Sequence, residues 1–307
     1  MPASDRLGDG GDGAIGRVGV LGCGQMGSGI AEVCARAGLE VLVGEVDGDA
    51  LRAGRSRIER SLERAARAGK LGEDERAGVL ERLAFTTELA SFAGCDLVVE
   101  AVAEDAALKR ELFAALDRLV APDAVLASNT SSIPIASLAA ATTRPERVVG
   151  LHFFNPVPVM PLVELTKSLL TADAVAAAAE HFVLGRLGKQ VIRARDQAGF
   201  IVNGLLVPYL LGAIRMLETG AASAEDIDRG MELGCAHPMG PLRLADFIGL
   251  DTLLAIAETL HAEYGEPSLA PSALLRRMVE VGRLGRKAGQ GFYRYEAPAG
   301  GAGTGGG

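Results

Sequence analysis

The residues best suited to chemistry lie in LHFFNPVPVMPLVEL, residues 151–165, where His152 and Glu164 flank a proline-stiffened stretch. Imidazole is the side chain that titrates near neutrality, so a histidine held by a carboxylate can both accept and return a proton. Pro156, Pro158 and Pro161 exclude a regular helix or a central strand between the apolar runs VVGLH and LVELT, which makes the segment a chain reversal. Alternation in the second run sets Leu162, Glu164 and Thr166 on one face and Val163 and Leu165 on the other. One carboxylate can then meet the imidazole, and the expectation is a proton-handling dyad. The plainer reading is a satisfied core histidine beside an edge-strand glutamate.

A second chemical signal is the turn GCGQMG. RVGVLG (17–22) reads as a buried strand and CGQMGSGIAEVCARAG as a helix that stops at Gly38. Gly22, Gly24 and Gly27 have the G-x-G-x-x-G spacing: a tight turn, a close backbone approach to pyrophosphate, and a close helix–strand contact. Gln25 and Met26 open the helix, whose N-terminus attracts an anion. A second strand, EVLVGE, ends on Glu45, about 20 residues after the turn, where a dinucleotide fold places the acid for the ribose hydroxyls. The alternative is a purely structural Gly-rich turn. Two further polar candidates are Ser131, beyond the strand in AVLASNTSS (124–132), and Asn203, near the start of an apolar helix. Ser131 is a site residue or part of a cap for the helix beginning near Pro134, and Asn203 is a site donor or a satisfied structural amide.

Positioning these groups calls for an α/β domain. Strands and helices alternate from Gly16 to about Gln197 in βαβ rhythm, the pattern of a doubly wound, Rossmann-type sheet. After residue 198 the rhythm stops. AGFIVNGLLVPYLLGAIRMLETG, SAEDIDRGMELG, LADFIGLDTLLAIAETLHAEYG and PSALLRRMVEVG predict a smaller all-helical domain over 198–296. The first of these is broken by Asn203, Pro208 and Arg215, so it is read as a buried helix at a subunit interface rather than a membrane span. Ser223 is the expected N-cap of the next helix. Residues 1–15 carry acids and glycines without an apolar signal-peptide core, and 297–307 are Gly-rich; both ends are expected to be disordered.

The 307 residues, 49% of them hydrophobic, can bury two cores, and the net charge of −8 argues against a general nucleic-acid binder. Any phosphate binding must be local. Between Asp49 and Lys70 a periodic helix has Leu51, Ile58, Leu62 and Ala65 on one face and Arg57, Arg60, Arg64 and Arg67 on another. The arginine stripe is a solvated face with pairs such as Glu63 to Arg67, or a seat for an anionic substrate handle. Cys23, Cys34, Cys95 and Cys235 form no C-x-x-C pair and have no metal-ligand spacing, so reduced thiols in a cytoplasm are expected, with no metal site.

Taken in order, GCGQMGSGIA, VVEAVAED, LASNTSSIP, HFFNPVPVMPLVEL, AGFIVN, LGCAHPMGPLRLADFIGLD and GRLGRKAGQGFYRY resemble the signatures of the L-3-hydroxyacyl-CoA dehydrogenases, closest to the stand-alone 3-hydroxybutyryl-CoA dehydrogenases, over residues 16–295. The resemblance implies NAD as cofactor, an acyl-CoA substrate, reversible oxidation of an (S)-3-hydroxyacyl-CoA to the 3-ketoacyl-CoA, and a homodimer built through the helical domain. By the same match His152 is the catalytic base and Glu164 its partner. Ser131 falls between substrate hydroxyl and nicotinamide, Asn203 near the reacting oxygen, and Glu104, Lys109 and Lys287 at cofactor contacts. Ser61 matches a CoA contact. Ala68 stands where relatives often carry a CoA-binding lysine, which Arg67 or Lys70 would replace. Glu45 stands where relatives often have Asp. Two other readings keep the scaffold: an NAD dehydrogenase of a free or carrier-protein-bound hydroxy acid, and a non-catalytic dinucleotide-binding or structural protein.

Overall fold

The computed structural model describes residues 15–295; apart from Ile15, the terminal segments expected to be disordered lie outside the described residues. The chain falls into two compact units, the first ending at Phe200 and the second beginning at Ile201.

The first unit runs β1 (Arg17–Leu21), α1 (Gln25–Arg36), β2 (Glu40–Gly44), α2 (Gly48–Arg67), α3 (Glu73–Glu81), β3 (Leu83–Thr86), β4 (Leu97–Glu100), α4 (Ala106–Leu119), β5 (Val125–Ser128), α5 (Ile135–Ala139), β6 (Val148–Phe153), β7 (Leu162–Lys167), α6 (Asp173–His181) and β8 (Gln190–Arg195). The strands form one sheet in the order β3-β2-β1-β4-β5-β6-β7-β8. Every neighbouring pair is parallel except β6 with β7. Alternate side chains feed two cores: Val18, Val20, Val41, Val43, Leu97 and Val99 join Ile30, Ile58 and Leu62 on one face, while Leu42, Val98 and Leu126 join Phe113 and Leu116 on the other. Burying a Val or Leu side chain contributes roughly 1.5–3 kcal/mol. Strands covered on both faces therefore read as continuous apolar runs, as RVGVL and LVV do.

The antiparallel step from β6 to β7 is the predicted reversal. It places His152 directly opposite Glu164 in the ladder, with Leu151 opposite Leu165. β5 is shorter than the sequence suggests. Its ladder stops at Ser128, because the Ser128 hydroxyl takes the Thr130 N–H and the Thr130 hydroxyl takes the N–H groups of Ser132 and Ile133. Such local side-chain bonds offer the backbone an alternative to the sheet.

The second unit holds α7 (Val202–Glu218), α8 (Ala224–Cys235), α9 (Pro241–Ile248), α10 (Leu250–Tyr264) and α11 (Ala273–Glu280). Ser223 caps α8 as expected, accepting the Asp226 N–H. LADFIGLDTLLAIAETLHAEYG is two helices, because Gly249 between them has φ of 104°, a conformation that a side chain would oppose. In α7 Val207, Leu210, Leu211 and Ile214 are covered, while Leu205 is 73% exposed and Met216 is 48% exposed. The motif GRLGRKAGQGFYRY closes on Asp246, which is fully buried and accepts the N–H groups of Phe292 and Tyr293 and the Tyr295 hydroxyl.

Candidate active site

The turn after β1 has the geometry its glycines call for. Gly22 has φ of 93°. A Cβ on Gly27 would lie 1.8 Å from the Gly22 carbonyl oxygen, so close approach of helix to turn forbids any side chain there. A Cβ on Gly24 would meet nothing within 4 Å, so this backbone faces open space. Helix α1 starts behind it with no side-chain cap and no acid in its first turn, leaving the N–H groups at Gln25 and Met26 directed at an anion position. Gly22, Gly24 and Glu45 line a cleft of about 560 Å3 that extends past Thr86 and Leu89 to Val102 and Leu108. These residues fit a dinucleotide: an uncapped helix end for the pyrophosphate, an apolar wall for a base, and a carboxylate for ribose hydroxyls. Glu45 accepts the Cys23 N–H at 2.6 Å, so its extra methylene lets the carboxylate reach back and brace the turn. Burial, and then the Glu45 charge, push the Cys23 thiol up to about 12, which removes it as a nucleophile.

His152 and Glu164 meet across β6 and β7. His152 Nδ1 lies 2.7 Å from Glu164 Oε2, the glutamate is fully buried and the histidine is 7% exposed. A carboxylate at Nδ1 favours the tautomer protonated there and leaves a lone pair on Nε2. Phe154 and Phe200 pack on the imidazole with ring centroids 4.6 and 5.8 Å away, limiting water around it. The proline loop between the strands is itself held. Lys189, buried after α6, donates to the Val157 and Met160 carbonyls at 2.7 and 2.6 Å, and a Cβ on Gly29 of α1 would meet Val157 at 2.8 Å. Burial draws the Lys189 pKa down, a cost accepted to pin this loop.

Ser131 sits in the loop after β5, half-buried, with its N–H donated to Glu104 Oε1 at 3.2 Å. The same Glu104 oxygen accepts the Thr130 hydroxyl and, at 3.1 Å, the Ser132 hydroxyl. Asn129 accepts the Phe153 N–H at 2.9 Å, tying this loop to the strand that carries His152. Because β1, β4, β5 and β6 are parallel, the glycine turn, Ser131 and His152 all lie toward the carboxyl ends of these strands. Ser131 is not a cap for α5: that helix starts at Pro134 without a side-chain cap of its own, and Asp196 accepts the Ile135 and Ala136 N–H groups.

The other expected contact residues are spread over both units. Lys109 is 1% exposed and gives its ammonium to Glu100 and Glu104. Burial alone would raise the Glu104 carboxyl, but Lys109 and the Thr130 and Ser131 bonds hold it below the usual carboxylate range. Lys287 belongs to the second unit, where it pairs with Asp251 at 2.6 Å. Asn203 is half-buried in the first turn of α7, also in the second unit. Ser61, half-buried on α2, faces the buried Glu32 of α1; Arg67 pairs with Glu63 at 2.5 Å and Lys70 is exposed beyond the helix end. The arginine stripe is not uniform: Arg57 donates to the Cys23 carbonyl at 3.1 Å, and α2 crosses the turn so closely that a Cβ on Gly54 would lie 2.4 Å from Cys23 Sγ. Glu100, Lys189, Gly54 and Arg57 were not singled out by sequence for these roles. The one available signal was a glycine inside an otherwise strong helix.

Residues 17–197 match the family model described as 3-hydroxyacyl-CoA dehydrogenase, NAD binding domain, and residues 199–295 match 3-hydroxyacyl-CoA dehydrogenase, C-terminal domain. The chain is 60% identical over 283 residues to a 3-hydroxybutyryl-CoA dehydrogenase of Mycobacterium tuberculosis, covering 92% of this chain and 99% of the relative. It is 45% identical to the human mitochondrial hydroxyacyl-coenzyme A dehydrogenase, with 90% of each covered. Among solved structures, the (S)-3-hydroxybutyryl-CoA dehydrogenase of Ralstonia eutropha superposes with a TM-score of 0.86 at 44% identity, covering 92% of this chain and all of that one.

Proposed function

This chain belongs to the 3-hydroxyacyl-CoA dehydrogenase family, and from that membership and the dyad geometry we propose that it interconverts a short-chain (S)-3-hydroxyacyl-CoA, 3-hydroxybutyryl-CoA, and its 3-ketoacyl-CoA with NAD. The observation that carries the reading is the buried His152–Glu164 pair, 2.7 Å apart, at the same carboxyl ends of the parallel strands as a glycine turn open to a dinucleotide. Bound NAD supplies the acceptor for the hydride that leaves C3. The residues of this chain handle the rest. Nε2 of His152 takes the proton of the C3 hydroxyl, Nδ1 keeps its own proton toward Glu164, and the carboxylate stabilises the imidazolium so formed. Ser131, with its backbone fixed by Glu104, holds the substrate oxygen through its hydroxyl. Asn203 is proposed as a second polar contact to that oxygen. In the reverse direction imidazolium returns the proton to the forming alkoxide.

The CoA handle is assigned to Ser61, Arg67 and Lys70 on and beyond α2, in the absence of a lysine at Ala68. A homodimer through the helical unit is supported by the apolar side chains that unit exposes, Leu205 on α7 and Leu233 on α8 among them. A reducing cytoplasm suits the four free cysteines. The deciding experiment is NADH oxidation with acetoacetyl-CoA beside free acetoacetate and carrier-bound acetoacetyl. Turnover of the CoA ester at a kcat/KM well above the other two is expected, and a preference for either of the others would overturn the handle. Light scattering reads the dimer independently, and a monomer at enzyme concentrations would refute it.

A further inference from the structure

Glu100 and Lys109 form an ion pair deep in the first unit. Glu100, the last residue of β4, is fully buried, and Lys109 of α4 is 1% exposed. The ammonium lies 2.8 and 3.1 Å from the two Glu100 oxygens and 2.9 Å from Glu104 Oε2. Its three donors are therefore all committed. A buried pair of this kind stabilises a fold little compared with apolar packing, so its presence calls for another reason.

The reason lies in what the carboxylates hold. In the loop 129–132 Asn129 gives its N–H to the Glu100 carbonyl, whereas the N–H groups of Thr130, Ser131 and Ser132 go to side chains. Glu100 reaches it by two routes. Through Lys109 it keeps Glu104 in place, and Glu104 accepts the Ser131 N–H and the Thr130 and Ser132 hydroxyls. Through the Ser128 hydroxyl, donated to Glu100 Oε2 at 2.7 Å, it fixes the acceptor of the Thr130 N–H. The first route ends on Ser131 and on the residues either side of it, and the second on Thr130.

We infer that Glu100 and Lys109 are positioning residues that set the place of the Ser131 hydroxyl through Glu104 and Ser128. The inference rests on the proposed role of Ser131 at the substrate oxygen. Removing the Glu100 charge leaves Lys109 with Glu104 as its one anionic partner. The ammonium then draws on Glu104, which the loop also needs, and the loop shifts. A displacement of about 1 Å in a catalytic group costs up to roughly 100-fold in rate.

The test is a double-mutant cycle between Glu100→Gln and Ser131→Ala, read as kcat for acetoacetyl-CoA reduction, with NADH affinity and thermal melting measured in parallel. Glu100→Gln is expected to lower kcat roughly 10- to 100-fold, with KM for acetoacetyl-CoA within about twofold because the CoA handle is held elsewhere. In the Ser131→Ala background the same substitution should have no further effect on kcat, an outcome that a general loss of fold would not give. Ser128→Ala cuts one route and keeps the ion pair; it should give a smaller loss with the same coupling, and it carries the test if Glu100→Gln does not fold. Additive losses in either cycle, or unchanged kcat in both folded single variants, overturn the inference. If Ser131→Ala alone leaves kcat intact, the role of Ser131 fails instead, and the two failures are distinct.

Discussion

Replacing Glu164 by glutamine tests whether the dyad acts as one unit. The change keeps the volume of a fully buried side chain 2.7 Å from His152 Nδ1 and removes its charge. A hydrogen bond to a charged group is worth about 1.5–3 kcal/mol net and a neutral one about 0.5–1.5, so the imidazolium loses roughly 1–2 kcal/mol of support. At 1.36 kcal/mol per decade this lowers kcat about 5- to 30-fold if the amide presents its oxygen. If it presents its nitrogen, the ring proton moves to Nε2 and the base is lost, so the fall approaches the roughly 10²- to 10⁴-fold expected of His152→Gln. NADH absorbance gives kcat, and titration of NADH fluorescence and thermal melting show that both variants still fold and bind. The double variant should match the worse single, as residues acting together lose activity non-additively. Independent, multiplicative losses, or near-normal turnover in His152→Gln, would refute the dyad and return His152 to a packing role.

Glu45 should make the enzyme prefer NAD to NADP, because a 2′-phosphate against its carboxylate costs several kcal/mol and Gly44 offers no cation; kcat/KM with NADPH is expected at least ~100-fold lower. Glu45→Ser should weaken NAD binding and narrow that gap, and comparable use of both cofactors by the unmodified enzyme would defeat the assignment. Arg67→Ala with Lys70→Ala should raise KM for acetoacetyl-CoA about 3- to 10-fold with kcat unchanged, and added salt should mimic it; an unaltered KM would move the CoA handle to another surface. Asp117, at the end of α4, accepts the Thr143 N–H at 2.7 Å, the Thr143 hydroxyl at 2.6 Å and Arg144 Nε at 2.9 Å. Burial would raise its pKa, but these three bonds outweigh that and hold it below the ordinary value. Its stabilisation is therefore complete above the unfolded pKa of about 3.9 and disappears as pH falls through the lower folded pKa. Asp117→Asn should cost about 2–3 kcal/mol at pH 7, measured by urea unfolding, with the gap to wild type closing below pH ~4; a gap independent of pH would show that the charge is not what matters.

The elements that could be read from sequence are those whose geometry is local. Three glycines within six positions specify a turn; the contact that forbids a side chain at Gly27 comes from that turn, whereas Gly22 also meets the backbone of Ala101 and Val102 beyond β4. His152 and Glu164 met because prolines permit one kind of reversal and antiparallel pairing then fixes the register. Lys109 defeats the same method. A lysine on an amphipathic helix normally reaches solvent, and only the arrival of β4 beneath α4 brings the Glu100 carboxylate close enough to hold its ammonium inside. Arg57 looked like one of four solvated arginines until α2 crossed the turn at Gly54, where a missing side chain lets the two backbones approach. Asn129, Ser128 and Thr130 read as a polar cluster of undecided purpose, and their bonds run to Phe153, Glu100 and Glu104 on three other segments. Chemistry announces itself by residue type and spacing, whereas the residues that aim it are ordinary side chains given a task by where the fold lets separate elements meet. Substitutions at Glu100, Lys189 or Arg57 should therefore alter turnover or loop order through groups that motif matching leaves unmarked.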